Sequence, residues 1–266
     1  VPAAAIRAFC DMIGVAKTNS RVDIGKLEFA IRDTLNTVAP RTMAVLDPVP
    51  FEIENWPAER VDTLELDRFP GVELPEGEAA ARELRFGRRI LVERDDATLE
   101  PPEGWRRLAP GREVRLRGAY VAKCTGVETD DDGRVVAARG TVDVDTLGRN
   151  PEDRRVKGTI HWLAEVDAVP AEVRLYDRLF RVPDPDAAAA EAGEDADALD
   201  YLNPDSRVVV SGARIPRDLV DAAPGDAVQF ERLGYFAPDP DGTPEAPVLN
   251  RTVTLKDTWG RRLEAE

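Results

Sequence analysis

Residues 113–144 read EVRLRGAYVAKCTGVETDDDGRVVAARGTVDV. On both sides of Asp130-Asp131-Asp132-Gly133, apolar residues fall at every second place, the period of a strand with one buried face. The acidic run with its glycine is a turn, so the stretch predicts a hairpin or meander. Working outward, the same period governs TMAVLDPVPFEIENW (42–56), which Asp47-Pro48 breaks into two strand candidates. It returns in KGTIHWL (157–163), AEVRLYDRLF (171–180), SRVVVSG (206–212), DAVQFERLGYFA (226–237) and APVLNRTVTLKDTW (246–259). Many short strands with Pro and Gly between them predict β-barrels or sandwiches. Helices are not interleaved with the strands, which argues against a parallel α/β sheet.

The first forty residues follow a helical period instead. Ile6, Phe9, Cys10 and Ile13 share one face, Pro2 suits the first turn, and Gly14 stands in the stop position. After the polar stretch Lys17 to Arg21, Asp23 can cap a second helix whose face is Ile24, Leu27, Ile31 and Leu35, ended by Pro40. The acidic, alanine-rich DPDAAAAEAGEDADALD (184–200) predicts a solvated loop or short helix.

With 266 residues, 42% apolar and 33% charged, the chain is expected to fold as about two globular domains. No apolar run approaches the roughly 20 residues that span a bilayer, and VPAAAIRAFC reads as a helix start rather than a signal peptide. No membrane association and a cytoplasmic location are the expectation. The opening Val1, without a methionine, reads as truncation. Cys10 and Cys124 are too far apart to suggest a disulfide framework or a metal spacing, and are expected to be reduced, mostly buried thiols.

The net charge of −15 argues at first against a nucleic-acid partner. Yet Lys17, Lys26, Lys123, Lys157 and Lys256 are the only lysines, so arginine carries nearly all the positive charge. Its planar fork suits phosphate and base edges. The densest positive stretch is WRRLAPGREVRLR (105–117). As a strand, it turns Val114 and Leu116 inward and sets Arg115 and Arg117 side by side on the other face, with Arg106, Arg107 and Arg112 approaching from the preceding loop. Like charges grouped in this way add little to stability, and an anionic partner such as single-stranded RNA would explain them, as against a solvated strand face with scattered salt bridges.

Catalytic chemistry is thin. The single histidine, His161, lies in KGTIHWL, where alternation places it opposite Ile160 and Trp162, and no nucleophile motif accompanies it. The acidic pair Asp95-Asp96 and the run Asp130 to Asp132 fall in turns, where solvation explains them. There is no P-loop and no glycine-rich phosphate fingerprint. By itself the chain is expected not to be an enzyme, and no metal or cofactor is expected in it.

Several segments, in order, carry a resemblance. IRAFCDMIGV (6–15), IRDTLNTVAPRTMAVLDPV (31–49), GREVRLRGAYV (111–121), VKGTIHWL (156–163), VRLYDRLF (173–180), VQFERLGYF (228–236) and LNRTVTLKDTW (249–259) resemble the C-terminal half of bacterial glutaminyl-tRNA synthetases, class I aminoacyl-tRNA synthetases. The resemblance covers nearly all of the chain and is weakest across Pro57 to Pro102 and after Asp184. It implies a mainly β fold: a short α-helical subdomain (1–40) followed by two tandem antiparallel β-barrels of the anticodon-binding, ribosomal-protein type. The proximal barrel would comprise 41–58 plus 166–266 and the distal barrel 59–165.

The resemblance also implies a task. The barrels would bind the anticodon loop of tRNA(Gln) and splay its bases. Arg41, Gln229 and Arg232 match residues that read the central U and hold its backbone, and Asn36 matches a further contact. Arg107 matches the arginine on the third base, and Arg115 and Arg117 match the pair at the first base and its phosphate. Arg106 replaces a lysine. Departures fall at Gly71, Asp23 and Ala16, where the family has asparagine, glutamate and threonine. ATP, Mg and glutamine activation would belong to an N-terminal catalytic domain missing from this chain, and the protein is expected to be monomeric. Two related possibilities stay open: the anticodon domain of an archaeal- or eukaryal-type glutamyl-tRNA synthetase, and a barrel protein that binds 5S rRNA. A purely structural β-sandwich is a third.

Overall fold

Two helices and then strands follow the change of period seen in the sequence. The computed structural model describes residues 1–17, 21–74, 77 and 79–256, so the Asp257–Trp259 end of the last quoted segment and part of the polar stretch before Arg21 lie outside the described residues. Helix α1 (Ala3–Ile13) stops at Gly14, whose φ of +68° is left-handed backbone that glycine adopts at no steric cost. Helix α2 (Ile24–Val38) starts at Asp23, whose carboxylate accepts the Gly25 N–H at 2.7 Å.

The expected face of α2 is met at Ile31 and Leu35, both buried, but not at Ile24, which is exposed. In α1 the buried residue is Ala5, while Ile6, Ile13 and Cys10 are exposed. An apolar stripe marks a face able to be covered; here the covering falls on the small residue, which allows close approach to α2.

The strands are β1 (Arg41–Thr42), β2 (Pro48–Ile53), β3 (Asp62–Asp67), β4 (Ala81–Phe86), β5 (Arg89–Glu93), β6 (Glu113–Leu116), β7 (Val121–Thr129), β8 (Val135–Asp143), β9 (Thr159–Ile160), β10 (Leu163–Ala164), β11 (Ala168–Tyr176), β12 (Arg207–Pro216), β13 (Val228–Phe230), β14 (Gly234–Pro238) and β15 (Val248–Val253). They form a six-stranded sheet, β1-β13-β14-β15-β11-β12, a seven-stranded sheet, β10-β5-β2-β8-β7-β6-β9, and the hairpin β3-β4. The acidic stretch after Asp184 holds the short helix α3 (Pro185–Ala192), whose Ala187 N–H is capped by Asp184.

Three expectations need correction. The sheets are not purely antiparallel: β1 pairs with β13, β11 with β15, β2 with β8 and β6 with β9 in parallel. Each such pair joins segments separated by enough chain for the return crossover that parallel pairing requires. Second, β2 was expected with 166–266, yet it pairs with β5 and β8 in the seven-stranded sheet. The change of sheet falls between Thr42 and Pro48, where Asp47-Pro48 breaks the strand. Third, KGTIHWL is not one alternating strand. Its chain leaves β6 after Ile160 and joins β5 at Leu163, so Ile160, His161 and Trp162 are all buried.

The seven-stranded sheet and the β3-β4 hairpin close over a core with a cluster of four rings. Phe86 meets Trp56 at 4.8 Å, Tyr120 at 5.1 Å and Trp162 at 5.2 Å. The six-stranded sheet packs small and branched residues, Ala44, Ala171, Val173, Ala213 and Ile215, around one stacked pair, Phe230 and Phe236. The opposite side of its β13–β15 edge meets the helices through Ile31, Leu35, Tyr235 and Val253. Val45, Leu91, Leu163 and Ala168 join the two sheets.

Candidate functional site

The turn from β13 to β14 brings together three of the predicted residues, Arg232, Arg107 and Arg117. Leu233 N–H donates to Phe230 C=O at 3.0 Å, closing Phe230–Leu233 into a turn with Arg232 at its third position. Arg232 has φ +70°, the only positive value at a non-glycine among the described residues. A long side chain rarely holds this backbone unless something else fixes it. Here Arg232 forks onto Asp96, Nη1 to Oδ2 at 2.5 Å and Nη2 to Oδ1 at 2.7 Å. Burial works to lower the Arg232 pKa, but the bond to Asp96, then the charges of Asp96 and Glu93, leave it raised.

Asp96 closes the short 3-10 turn Arg94–Asp96 after β5 and is 1% exposed. The expectation that Asp95-Asp96 is a solvated pair is therefore corrected for Asp96. Its Oδ1 also lies 3.2 Å from Arg107 Nε, and Arg107 Nη1 donates to Asp95 C=O at 3.0 Å. One buried carboxylate thus holds an arginine from each sheet region.

The loop that carries Arg107 is itself pinned. Leu108 N–H donates to Asp96 C=O at 2.9 Å, and Trp105 Nε1 donates to Leu108 C=O at 3.1 Å. Gly158 lies against the Arg106 carbonyl so closely that a Cβ there would overlap it. Arg106 itself points its side chain to solvent.

Arg115 on β6 and Arg117 just past its end keep the expected alternation, with Val114 and Leu116 both buried. Neither is a free surface charge. Arg115 Nη2 donates to Asn150 Oδ1 at 2.8 Å, its Nη1 is buried without a protein partner, and burial lowers its pKa. Arg117 Nε lies 2.8 Å from Glu231 Oε2, an ion pair whose angles fall outside hydrogen-bond geometry, and Glu231 Oε1 has no donor. The positive patch read from residues 105–117 is therefore balanced in part: Arg107 and Arg117 meet the carboxylates of Asp96 and Glu231, Arg115 meets an amide, and Arg106 and Arg112 remain exposed.

Arg41, the first residue of β1, pairs across to Gln229 of β13, and Gln229 to Tyr235 of β14, so the three stand in one row on the helix-facing side. Arg41 Nη2 reaches Asn36 Oδ1 on α2 at 3.4 Å. Gln229 is 9% exposed, and its amide oxygen is buried without a hydrogen-bond partner. An unmade bond of this kind costs stability and is the sort of group a ligand can satisfy.

Sequence reasoning missed the residues that hold these side chains. His161, 1% exposed, stands between the two sheets, its Nδ1 3.1 Å from Arg232 Nη1 and its Nε2 3.2 Å from Glu93 Oε1. A proton on Nε2 satisfies both contacts at once, as donor to the carboxylate and acceptor from the guanidinium. Glu93 in turn accepts the N–H groups of Leu46 and Asp47 at 2.8 and 2.9 Å, on the segment where the chain changes sheet. The arrangement can present guanidinium forks and one amide to an anionic, hydrogen-bonding ligand. Among the described residues no group of His, Cys, Asp and Glu is disposed to hold a metal ion, and no helix is long and apolar enough to cross a membrane.

Comparison with known proteins bears on what that ligand is. Residues 39–143 and 159–239 match two families that share the description tRNA synthetases class I (E and Q), anti-codon binding domain. The glutamine–tRNA ligase of Pseudomonas syringae pv. tomato is 49% identical over 255 residues, covering 96% of this chain and 43% of that protein. The ligase of Stutzerimonas stutzeri is 48% identical and that of Azotobacter vinelandii 47%, each over 259 residues, 97% of this chain and 45% of the relative. The chain spans less than half the length of these relatives. With both family matches falling on the two sheets and the elements between them, the chain belongs to the anticodon-binding domains of the class I tRNA synthetases for E and Q.

Proposed function

We propose that this chain reads the anticodon of tRNA(Gln) as the recognition part of a glutamine–tRNA ligase. The observation that carries the reading is the convergence of Arg41, Gln229, Arg232, Arg107 and Arg117 on one strand, β13, and its turn, with the Gln229 amide oxygen still unpartnered. Arg41, Gln229 and Arg232, with Asn36, are assigned to the central U, and Arg107 to the third base, G. Arg115 and Arg117 are assigned to the first base and its phosphate, and the exposed Arg106 to the backbone. Arginine forks and a buried amide suit splayed bases, whose edges are free to bond.

On this reading the two curled sheets act as tandem barrels, with β2 counted in the distal one and the helices as a separate subdomain. ATP-dependent attachment of glutamine, with its ATP and Mg, belongs to a catalytic domain outside this chain, and the chain contributes selectivity without turnover as a cytoplasmic monomer. The relatives named above are glutamine ligases, which favours this reading over the glutamyl-type and ribosomal-RNA alternatives.

The test is a fluorescence titration of the chain with tRNA carrying the CUG anticodon and with versions altered at each base. Tighter binding of CUG is expected at every position. Each base-reading arginine should account for roughly 1–3 kcal/mol at its own base, by analogy with bidentate base contacts. Equal affinity for all anticodons would overturn the assignment, and Arg117→Ala with first-base preference intact would remove Arg117 from it.

A further inference from the structure

The Asp96 carboxylate is the least exposed charged group beside the predicted RNA contacts, and no base-reading role was assigned to it. It accepts the whole fork of Arg232 from the six-stranded sheet and lies 3.2 Å from Arg107 Nε. The two arginines stand 125 positions apart in the chain yet share one carboxylate, Asp96 Oδ1 serving both. The carboxylate is fixed in its turn. Asp96 C=O accepts Leu108 N–H at 2.9 Å, tying the residue to the Arg107 loop, while His161 meets the same Arg232 Nη1 that Asp96 holds and is itself held by Glu93.

From this geometry we infer that Asp96 is a positioning residue that sets the Arg107 and Arg232 forks together, so that selection of the central and third anticodon bases rests on one shared anchor. The inference depends on the roles proposed above for those two arginines. A guanidinium held through both of its terminal nitrogens, as that of Arg232 is, loses little freedom when a base arrives, which is the advantage of preorganisation. The Arg232 backbone, with φ +70°, aims its side chain into the gap between the sheets, and the fork on Asp96 keeps it there. Without the carboxylate, the positive charge of Arg232 would be buried beside Arg107 with nothing between them, and both side chains would turn toward solvent or toward the nearest phosphate. Affinity would then be retained in part while selection was lost.

The experiment measures, in this chain, the ratio of affinities for tRNA bearing CUG and for tRNA altered at the first, central or third base. The proteins compared are the parent, Arg107→Ala, Arg232→Ala, Asp96→Asn and Asp96→Glu. Arg107→Ala should lower only the third-base ratio and Arg232→Ala only the central one. Asp96→Asn should lower both, each on the order of tenfold, and leave the first-base ratio unchanged. Asp96→Glu keeps the charge and lengthens the arm by one methylene; it should show the same double loss, and it carries the test if Asp96→Asn does not fold. Combining Asp96→Asn with Arg107→Ala should cost no more at the third base than Arg107→Ala alone, because both act through one contact. A variant that only destabilised the fold would weaken every tRNA alike and leave all three ratios at the parent's values, whereas equal loss in all three ratios would place the effect outside the two forks; either result overturns the inference. So does loss at one base only, or ratios for both Asp96 variants within twofold of the parent. If the arginine variants themselves leave the ratios unchanged, the base assignments fail first and the shared anchor falls with them.

Discussion

The two sheets present arginine by different means. In the seven-stranded sheet, Arg115 stands on β6 and Arg117 directly after its last residue, two places on, and their direction is fixed by Val114 and Leu116, both buried. In the six-stranded sheet, Arg41 stands at the edge strand beside Asn36 of α2, and Arg232 in a turn with φ +70°, aimed by Asp96, which lies far off in sequence. The cores differ in the same sense. One is a cluster of interlocked rings, the other small and branched residues around a single stacked pair. A strand face on an aromatic core is a stiff platform set by local pattern, whereas the turn owes its geometry to polar contacts between the sheets.

The strongest way to break this contrast is to open the aromatic core. Trp162 is 1% exposed, meets Phe86 edge to face, and donates Nε1 to the Arg117 C=O at 2.9 Å. Trp162→Ala should cost about 3–5 kcal/mol, read by urea unfolding. Because Val45, Leu91, Leu163 and Ala168 couple the sheets, loss should appear in one transition by both circular dichroism and the fluorescence of the remaining tryptophans. Two separated transitions would show that the sheets fold independently.

A smaller effect of opposite sign is expected in the other sheet. The Gln229 amide oxygen is buried without a partner, so Gln229→Leu removes a desolvated group and should stabilise the chain by roughly 1 kcal/mol. The same change should abolish preference for the central U, measured with the altered-anticodon tRNAs. Stability unchanged or lowered would mean that the amide is satisfied in the free protein.

The smallest effect concerns the segment between the sheets. Asp47 takes both arms of Arg94 at 2.8 and 2.9 Å and a bond from Arg134 at 3.2 Å. The bond from Arg94 lowers its pKa, opposed by partial burial and reinforced by both positive charges. A carboxyl with a lowered folded-state pKa contributes stability that is present above its unfolded value of 3.8 and is lost as pH falls through the folded value. Asp47→Asn should therefore be less stable than the parent at pH 7, within the scale of about 1 kcal/mol for half-exposed pairs. The gap should narrow below about pH 4. A gap constant from pH 7 to pH 2, followed by thermal unfolding, would separate Asp47 from this role.

What the sequence made legible follows the same division. Local patterns carried the hairpin of β7 and β8, the alternation of β6, the caps of α2 and the break at Asp47-Pro48. The β3-β4 hairpin also alternates, in DTLELD and ARELRF, but a connection of thirteen residues hides the pairing. His161 defeated alternation because the chain changes partner strands beside it. Asp96 and Glu231 look like ordinary surface acids in sequence, and only their arginines, 136 positions away for Arg232 and 114 for Arg117, reveal them. Charge and alternation pointed to Arg106, Arg107, Arg115 and Arg117, the resemblance added Arg41, Arg232, Gln229 and Asn36, and the residues that aim them came from the fold.

The pairing of Arg107 and Arg232 with Asp96, and of Arg117 with Glu231, has a consequence for how binding responds to salt. These acids serve as internal counterions. On the proposed reading, these arginines meet the RNA with their carboxylates still in place, so few ions bound from solution are liberated when they do. A free arginine contributes about 0.7 to the logarithmic salt slope on single-stranded RNA. Arginines that enter already neutralised contribute less, so the measured slope should fall below the count of arginine contacts. Selection by this chain would then hold nearly constant across the ionic strengths at which loosely held RNA is stripped away.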